Sequence, residues 1–215
     1  MRARRSARFP DHDYTTPGLY FVTICIKDRR EALARIGDDG LVLNGFGRIA
    51  RDCWLEIPEH FPNIGLDEFV VMPNHIHGII GIMEIRDVGA QHAAPLPVPL
   101  PRNRVLPGSL GAIVRSYKSA VTKRINEIRG TPGATFWQRS YYEHLIRNEK
   151  SAERVRNYIR NNPLRWHVDR ENPARTGEDE FDLWLDSLSE KTPGRGRSRT
   201  TPGGLGCCIK TPVLT

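Results

Sequence analysis

The chain has 215 residues, of which 39% are hydrophobic, and this composition predicts one folded domain with appended segments. Lysine and arginine outnumber aspartate and glutamate by 32 to 25, so the net charge of +7 favours a polyanionic partner without choosing among DNA, RNA and membrane surfaces. The four cysteines form no C-x-x-C pair, which excludes a thiolate zinc site of that type, and no apolar run or secretory signal is present, so we expect a cytoplasmic protein.

The first predicted elements are a strand, a hairpin and a helix. A run of β-branched and aromatic residues from 19 to 27 follows a Pro-Gly turn and indicates a central strand. Gly40 then permits a tight turn between residues 34–36 and 41–43, which predicts a small hairpin. Asn44 is a good N-cap for the next helix, which we expect Pro58 and Pro62 to end.

Two antiparallel strands are predicted on either side of Pro73-Asn74, over residues 68–72 and 76–85. Residues 87–107 are rich in Pro, Ala and Val and show no periodicity, so we expect an exposed, mobile insertion there. Ser109 caps the clearest helix of the chain, and its apolar stripe continues until Gly130.

A fourth strand is predicted over residues 141–146, and Asn148 caps a last helix that runs toward Pro163. The element order is therefore β-α-β-β-α-β followed by a helix. This order predicts an α+β fold of the ferredoxin-like, split β-α-β type, in which one antiparallel sheet carries helices on one face and a further helix follows at the C-terminal end.

Three segments are predicted along the chain. Residues 1–168 form one domain that includes the Pro-rich insertion, residues 169–190 form a short C-terminal extension, and residues 191–215 form a disordered basic tail. Within the extension, an amphipathic piece at residues 181–185 is expected to dock on the core.

His75 and His77 flank Ile76 in a predicted strand, where residues two apart project from the same face. Both imidazoles can therefore approach one divalent metal while Ile76 points into the core. Buried histidines that are only hydrogen-bonded account for the pattern equally well, so the metal interpretation needs a third ligand.

Tyr158 and Asn162 are separated by four residues on the last helix and share one face. If this helix packs beside the histidine strand, Asn162 completes a three-ligand site and Tyr158 stands next to the metal. The alternative is that Tyr158 is an aromatic residue at the edge of the core and that Asn162 is a helix C-cap before Pro163. The residues alone leave both interpretations open.

Three motifs together resemble the HUH-type single-tyrosine transposases, and they resemble most the REP-associated branch, domesticated bacterial relatives of small insertion sequences. The similarity covers roughly residues 5–168. The motifs are Pro-Asn-His-Ile-His-Gly at 73–78, Phe-Trp-Gln-Arg-Ser-Tyr-Tyr-Glu-His at 136–144 and Tyr-Ile-Arg-Asn-Asn-Pro at 158–163.

The resemblance implies a role for each candidate residue. His75 and His77 are then the metal-binding pair, Asn162 occupies the third ligand position, Tyr158 is the nucleophile, and the metal is Mg²⁺ or Mn²⁺. Many insertion-sequence members have Gln where this chain has Asn162, and the shorter amide fits the REP-associated branch better.

The implied activity is that of a metal-dependent endonuclease and strand transferase, which cleaves single-stranded DNA beside REP-like hairpins through a 5′-phosphotyrosine. A nucleoid-associated protein that is a monomer rather than a dimer is expected, with no membrane partner. Basic residues of the N-terminus and the long helix are candidate DNA contacts, although a solvated helix face explains each of them equally well. These residues are Arg4, Arg5, Arg8, Arg115, Lys118, Lys123 and Arg124.

Three other interpretations compete with this one. A zinc hydrolase with an H-x-H-x-D motif does not fit, because Ile79 stands where the aspartate is required, and no H-E-x-x-H occurs. Rolling-circle initiators and relaxases share the paired histidines but often add a helicase or a second tyrosine on the same helix. A non-catalytic regulator that binds hairpin DNA or RNA on the same fold stays open, and Tyr158→Phe would separate it from an enzyme.

Overall fold

The computed structural model of the protein describes residues 16–84 and 108–190. The candidate DNA contacts Arg4, Arg5 and Arg8, the predicted insertion at 87–107 and the predicted tail at 191–215 lie outside these residues. Among the described residues, no helix has both the length and the apolar character that crossing a membrane requires.

The described chain contains six strands and five α-helices. The strands are β1 (Gly18–Cys25), β2 (Ala34–Gly37), β3 (Gly40–Leu43), β4 (Ile64–Val71), β5 (His75–Ile82) and β6 (Tyr142–Ile146). The helices are α1 (Gly45–Leu55), α2 (Ile57–His60), α3 (Leu110–Arg129), α4 (Glu149–Asn161) and α5 (Glu180–Glu190).

The predicted helix caps are confirmed. Asn44 Oδ1 accepts hydrogen bonds from two backbone amides of α1, and the side chains of Ser109 and Asn148 accept from the first turns of α3 and α4. Gly130 ends α3 in the left-handed region at φ 63°, which favours glycine. Pro58 does not end a helix as predicted, because it lies in the first turn of α2, where no backbone N–H donor is needed.

Four strands form one antiparallel sheet in the order β4-β5-β1-β6, and β2 pairs with β3 in a separate hairpin. In this sheet β4 and β5 are consecutive along the chain, whereas β1 lies between β5 and β6. This is the split β-α-β arrangement, and the predicted α+β fold class is confirmed. In the central pair, Thr23 lies opposite His77 and Cys25 lies opposite His75.

One face of the sheet is apolar and packs beneath α1 and α3. Alternate residues of the central strands, among them Val22, Ile24 and Ile76, are fully buried there with Trp54 of α1. Gly78 lies directly under the Trp54 ring, so that any Cβ at this position would overlap the indole. The glycine of the histidine motif therefore brings α1 close to β5.

The other face carries the histidines and is covered by the C-terminal part of the chain. His75, His77 and Phe21 project from it toward α4, a 3₁₀ turn at Asn162–Val168 and α5. Phe181 and Leu185 of α5 are buried, which confirms the predicted docking of this piece on the core. Helices therefore lie on both faces of the sheet, and the C-terminal ones enclose the histidines.

Candidate active site

His75 and His77 form a close pair in the interior. Their side chains are 0% and 1% exposed, and their ring centroids are 4.3 Å apart. Both Nε2 atoms face Asp169 Oδ2, at 4.0 Å from His75 and 3.6 Å from His77. The pair therefore presents two ring nitrogens to one carboxylate oxygen.

Asn74 determines the protonation of His75. Its Nδ2 donates to the carbonyls of Arg29 at 3.2 Å and Glu171 at 2.8 Å, which fixes the orientation of the amide. Its Oδ1, 2.8 Å from His75 Nδ1, can then only accept, so Nδ1 carries the proton. His75 Nε2 has a free lone pair and no hydrogen-bond partner among the described residues. Burial, reinforced by the neighbouring His77, lowers the pKa of His75 to about 3 and keeps the ring neutral.

His77 is positioned by Thr23 and Phe21 of the neighbouring strand. Thr23 Oγ1 lies 3.0 Å from His77 Nδ1, and because a hydroxyl donates or accepts equally well, it permits either tautomer of the ring. The Phe21 ring stacks on the imidazole with a centroid distance of 5.4 Å. His77 Nε2 remains directed into the site, 3.2 Å from Tyr158 Oη.

Tyr158 projects from α4 into the same pocket and is 4% exposed. Its Oη donates to Asp169 Oδ2 at 3.1 Å. The ring stacks face to face on Phe181 of α5, with centroids 3.8 Å apart. The predicted nucleophile therefore lies beside the histidine pair, and α5 covers one face of its ring.

Asn162 is fully buried at the end of α4 and is also the C-cap of this helix. Its Nδ2 donates to Asp169 Oδ2 at 2.6 Å, whereas its Oδ1 has no hydrogen-bond partner among the described residues. A buried acceptor without a donor is costly unless a cation or water satisfies it. Asn162 is therefore the C-cap of α4 and also has an oxygen that is available to a ligand.

Asp169 joins all of these groups, and the sequence analysis did not identify it. It follows the 3₁₀ turn, is 0% exposed, and its Oδ1 accepts from the Glu171 amide at 2.6 Å. Burial raises the pKa of Asp169, but the two histidines and the hydrogen bond from Asn162 outweigh it and hold the pKa well below its usual range. The carboxylate is therefore ionised at neutral pH.

Three of these side chains can hold a metal ion. His75, His77 and Asp169 each offer one ligand atom, and these atoms all lie within 4.8 Å of one another. Two imidazoles and one carboxylate suit a divalent transition metal, whereas Asn162 directs its Nδ2 rather than its Oδ1 at Asp169. The unsatisfied atoms, His75 Nε2 and Asn162 Oδ1, are both groups that a cation would satisfy.

The segment that carries Asp169 is clamped to the end of β1. Arg29 forms an ion pair with Glu171 at 3.0 Å, and the Cys25 thiol donates to the same carboxylate at 3.4 Å. Burial raises the pKa of this thiol well above its usual value, and the nearby Glu171 carboxylate raises it further. Cys25 therefore stays protonated. Asn74 also binds this segment, which links the strand of His75 to the Asp169 carboxylate.

Ion pairs fix α4 to β4 of the same chain. The register of β4 shifts between Leu66 and Phe69, and this irregularity presents Asp67 and Glu68 to α4. Arg156 pairs with Asp67 at 2.9 Å, and Arg160 pairs with Glu68 at 2.7 Å. Because the two arginines are four residues apart, they form one row beside the buried face that carries Tyr158.

The candidate DNA contacts on α3 differ in their surroundings. Arg124 donates twice to Glu56, at 2.9 and 2.6 Å. Lys118 Nζ donates to the backbone carbonyls of Gln138 and Ser140, at 2.7 and 3.1 Å, and burial lowers its pKa to about 8. Arg115 and Lys123 are exposed. The last two therefore remain the α3 cations most available to a ligand.

Comparisons with known proteins found two relatives in Haemophilus influenzae. No protein-family model matches the chain. A Haemophilus influenzae protein named "Uncharacterized protein" is 40% identical over 174 residues, which are 77% of this chain and 91% of the relative. A second protein of that organism, named "Putative REP-associated tyrosine transposase", is 27% identical over 153 residues, or 71% of this chain and 74% of the relative.

Two solved structures are similar to parts of the chain, each at 20% sequence identity. A REP-associated tyrosine transposase bound to a REP hairpin has a TM-score of 0.47 and covers 77% of this chain and 74% of its own. A "putative transposase" from Deinococcus radiodurans has a TM-score of 0.36 and covers 75% and 97%.

The 40% identity extends over nearly the whole Haemophilus relative, and the weaker relative is named for the activity that the three sequence motifs indicated. The chain therefore belongs to the family of the Haemophilus protein that is 40% identical to it. Its relationship to the REP-associated tyrosine transposases is confirmed.

Proposed function

We propose that the protein is a metal-dependent endonuclease and strand transferase that cleaves single-stranded DNA beside hairpins, with Tyr158 as nucleophile. The observation that supports this most directly is the convergence of four groups on one oxygen. Asp169 Oδ2 lies within 4.0 Å of both histidine Nε2 atoms and accepts hydrogen bonds from Tyr158 Oη and Asn162 Nδ2.

The reaction we propose begins at Tyr158. Asp169 Oδ2 positions the phenol by accepting its hydrogen bond, but its pKa is too low for it to keep the proton, which passes to solvent as Oη attacks the phosphorus in line. The bond from Oη to phosphorus forms as the bond to the 3′ oxygen breaks, and that oxygen takes a proton from solvent. The products are a 5′-phosphotyrosine and a free 3′-OH. The reverse attack by a 3′-OH rejoins strands without an external energy source.

The ligands that we propose for Mg²⁺ or Mn²⁺ are His75, His77 and Asp169, with Asn162 Oδ1 available as a fourth. Such a cation, when bound, favours the phenolate over the phenol and withdraws charge from the attacked phosphate. Asn74 and Thr23 hold the two rings by their Nδ1 atoms, so both Nε2 atoms stay directed at the ion.

A single-stranded substrate fits the enclosure of Tyr158. A tyrosine that is 4% exposed on a helix cannot approach the phosphate of a regular, stacked duplex in line. Phe181 of α5 covers one face of its ring, which leaves less room for a bulky substrate beside Tyr158. A flexible single strand next to a hairpin stem meets this requirement.

The test is a denaturing gel with Mn²⁺ and a 3′-labelled single-stranded oligonucleotide that carries a genomic palindrome and its flanks. We expect labelled DNA to be attached covalently to the wild type, and no adduct with Tyr158→Phe or His75→Ala. Tyr141→Phe is a matched control because Tyr141 lies outside the site, and it should form the adduct. An adduct with Tyr158→Phe would disprove the assignment of the nucleophile.

A hairpin-binding regulator without cleavage is the second candidate, and the burial of Tyr158 favours it. Tight binding of the hairpin by wild type and by Tyr158→Phe, without an adduct under Mg²⁺ or Mn²⁺, would establish this second function instead.

A further inference from the structure

The outer side of α3 borders two adjoining concavities, which we call the α3 trough. The first has a volume of about 510 Å³ and is lined by Arg115, Ser116 and Ser119 among others. The second has a volume of about 770 Å³ and lies between the second half of α3 and the loop at residues 130–139. Ser119 lines both, so the two concavities lie side by side along the helix.

The length of the α3 trough fits a strand of several nucleotides. Its helical wall extends from Ala112 to Glu127, which at 1.5 Å per residue corresponds to about 22 Å. Small side chains at Ala112, Ser116 and Ser119 keep the first half shallow, so a polymer backbone can lie against the helix. The trough is open along its length, which suits a chain-like ligand better than a compact one.

The charge of the α3 trough indicates a polyanion. Four of its lining residues are basic and one, Glu127, is acidic. Lys118 holds the loop by its backbone carbonyls, whereas Arg115, Lys123 and Arg139 are exposed at the rim. Exposed cations beside serine hydroxyls are the groups that proteins direct at phosphate oxygens.

The far wall of the α3 trough has an aromatic part. Trp137 lines it, is 4% exposed, and its Nε1 has no hydrogen-bond partner among the described residues. Phe136 lies beside it, with its ring centroid 5.0 Å from that of Trp137. Both rings belong to the buried core, so they give the trough an apolar floor rather than a face on which bases stack.

This wall is continuous with the strand that supports the catalytic face. The Lys27 amide donates to the Phe136 carbonyl, and the Gln138 amide donates to the Cys25 carbonyl, both at 2.9 Å. Cys25 is the residue paired with His75 across β1 and β5. The wall of the trough is therefore attached by its backbone to the end of β1, whereas the trough itself lies in the helical layer on the other face of the sheet from the proposed active site.

From these observations we propose that the α3 trough binds the single-stranded flank of the DNA substrate, as a second site separate from the pocket of Tyr158. The inference rests on the proposed function for the identity of the ligand. Lys123 and Arg139 contact phosphates in the deeper half, and Arg115 contacts them in the shallow half.

The test is fluorescence anisotropy with a labelled hairpin that carries a single-stranded flank, in EDTA, with every protein in the Tyr158→Phe background. Cleavage is then impossible, so the result is independent of catalysis. Lys123→Glu/Arg139→Glu should bind about tenfold more weakly or worse. The slope of log affinity against log salt should fall by about 1.4, because each single-strand phosphate contact contributes about 0.7.

Arg48→Glu/Lys150→Glu is the matched control, since it makes the same change in charge at exposed residues outside the trough. It should retain the salt dependence of the parent. A hairpin without a flank should bind the trough variant and its parent equally.

Equal binding of the flanked hairpin by the trough variant and the control pair would overturn the inference. So would tighter binding of an RNA flank of the same sequence, or no binding of flanked DNA by the parent. If flanked DNA binds through the trough but the wild type forms no covalent adduct, the inference stands and the proposed cleavage fails.

Discussion

The two faces of the central sheet are built from the same strands, but one is an apolar core and the other carries the candidate site. Along β1 and β5, alternate side chains enter an apolar core beneath α1 and α3, and the intervening ones enter the polar cluster beneath α4. Among the described residues, the buried atoms without a hydrogen-bond partner on the apolar face are the indole N–H donors of Trp54 and Trp137, whereas on the polar face they include His75 Nε2 and Asn162 Oδ1, which carry lone pairs that a cation can use. We infer that stability resides mainly in the first face and ligand binding in the second.

The largest effect is expected from Trp54→Ala on the apolar face. Trp54 is fully buried and contacts Phe69 and Tyr117, so truncation should reduce the free energy of unfolding by about 3–5 kcal/mol. Urea denaturation measures the loss. Calorimetric Mn²⁺ affinity, measured where the variant is folded, should stay within about twofold. A large loss of metal affinity would show that the two faces are coupled.

The next effect is expected from Asn74→Ala, which removes the amide that binds His75 and the Asp169 segment. It leaves two buried carbonyls and one ring N–H without this partner, which should cost about 1–3 kcal/mol. Mn²⁺ affinity should fall about 10- to 100-fold because His75 loses its orientation. Asn157→Ala, at an exposed asparagine of α4, is the control and should change neither quantity. Unchanged metal affinity in Asn74→Ala would contradict the orienting role.

Asp169→Asn should reduce both metal binding and stability. The substitution preserves shape but removes the negative charge, so we expect Mn²⁺ affinity to fall at least about tenfold. Without metal, the free energy of unfolding should fall by about 1–3 kcal/mol at neutral pH, because the low pKa of Asp169 means that its ionised form stabilises the fold and because the new amide would face the donors of Tyr158 and Asn162. Parallel calorimetry and urea denaturation test both parts. Wild-type metal affinity would remove Asp169 from the ligand set.

The smallest effects are expected at the ion pairs between α4 and β4. Arg156 is 19% exposed and bonds to Asp67 through two nitrogens, so Arg156→Met should cost about 1 kcal/mol. Arg160 is 47% exposed, and Arg160→Met should cost about 0.5 kcal/mol or less. Thermal unfolding at low and high salt provides the measurement. The reverse order of the two losses would show that burial does not determine the strength of these pairs.

Local sequence patterns were sufficient to predict much of the fold. Asn44, Ser109 and Asn148 identified three helix starts because N-capping depends on the residue and its next few amides. The start of β4 was predicted at residue 68, but the strand begins at Ile64. The irregularity at Asp67-Glu68 places two acids inside a strand and interrupts the alternation from which strands are predicted.

The candidate site was predictable where its residues belong to short motifs. The structure brings His75, His77, Tyr158 and Asn162 together, as the interpretation of a shared site required, and their chemical roles remain predictions. Asp169 was missed because nothing in its local sequence distinguishes it from any other polar residue after a helix. Its position depends on the 3₁₀ turn and on Asn74 and Arg29, which are distant in sequence.

The attachment of α4 to β4 has a consequence for how the protein behaves on dilution. Arg156 and Arg160 pair with Asp67 and Glu68 of β4, and β4 is the sheet neighbour of the histidine strand, so these pairs hold the helix of Tyr158 beside the two histidines. We predict that one chain is sufficient for the proposed reaction. The specific activity per chain should then stay constant across a wide range of protein concentration, and a loss of activity on dilution would show that a second copy is needed.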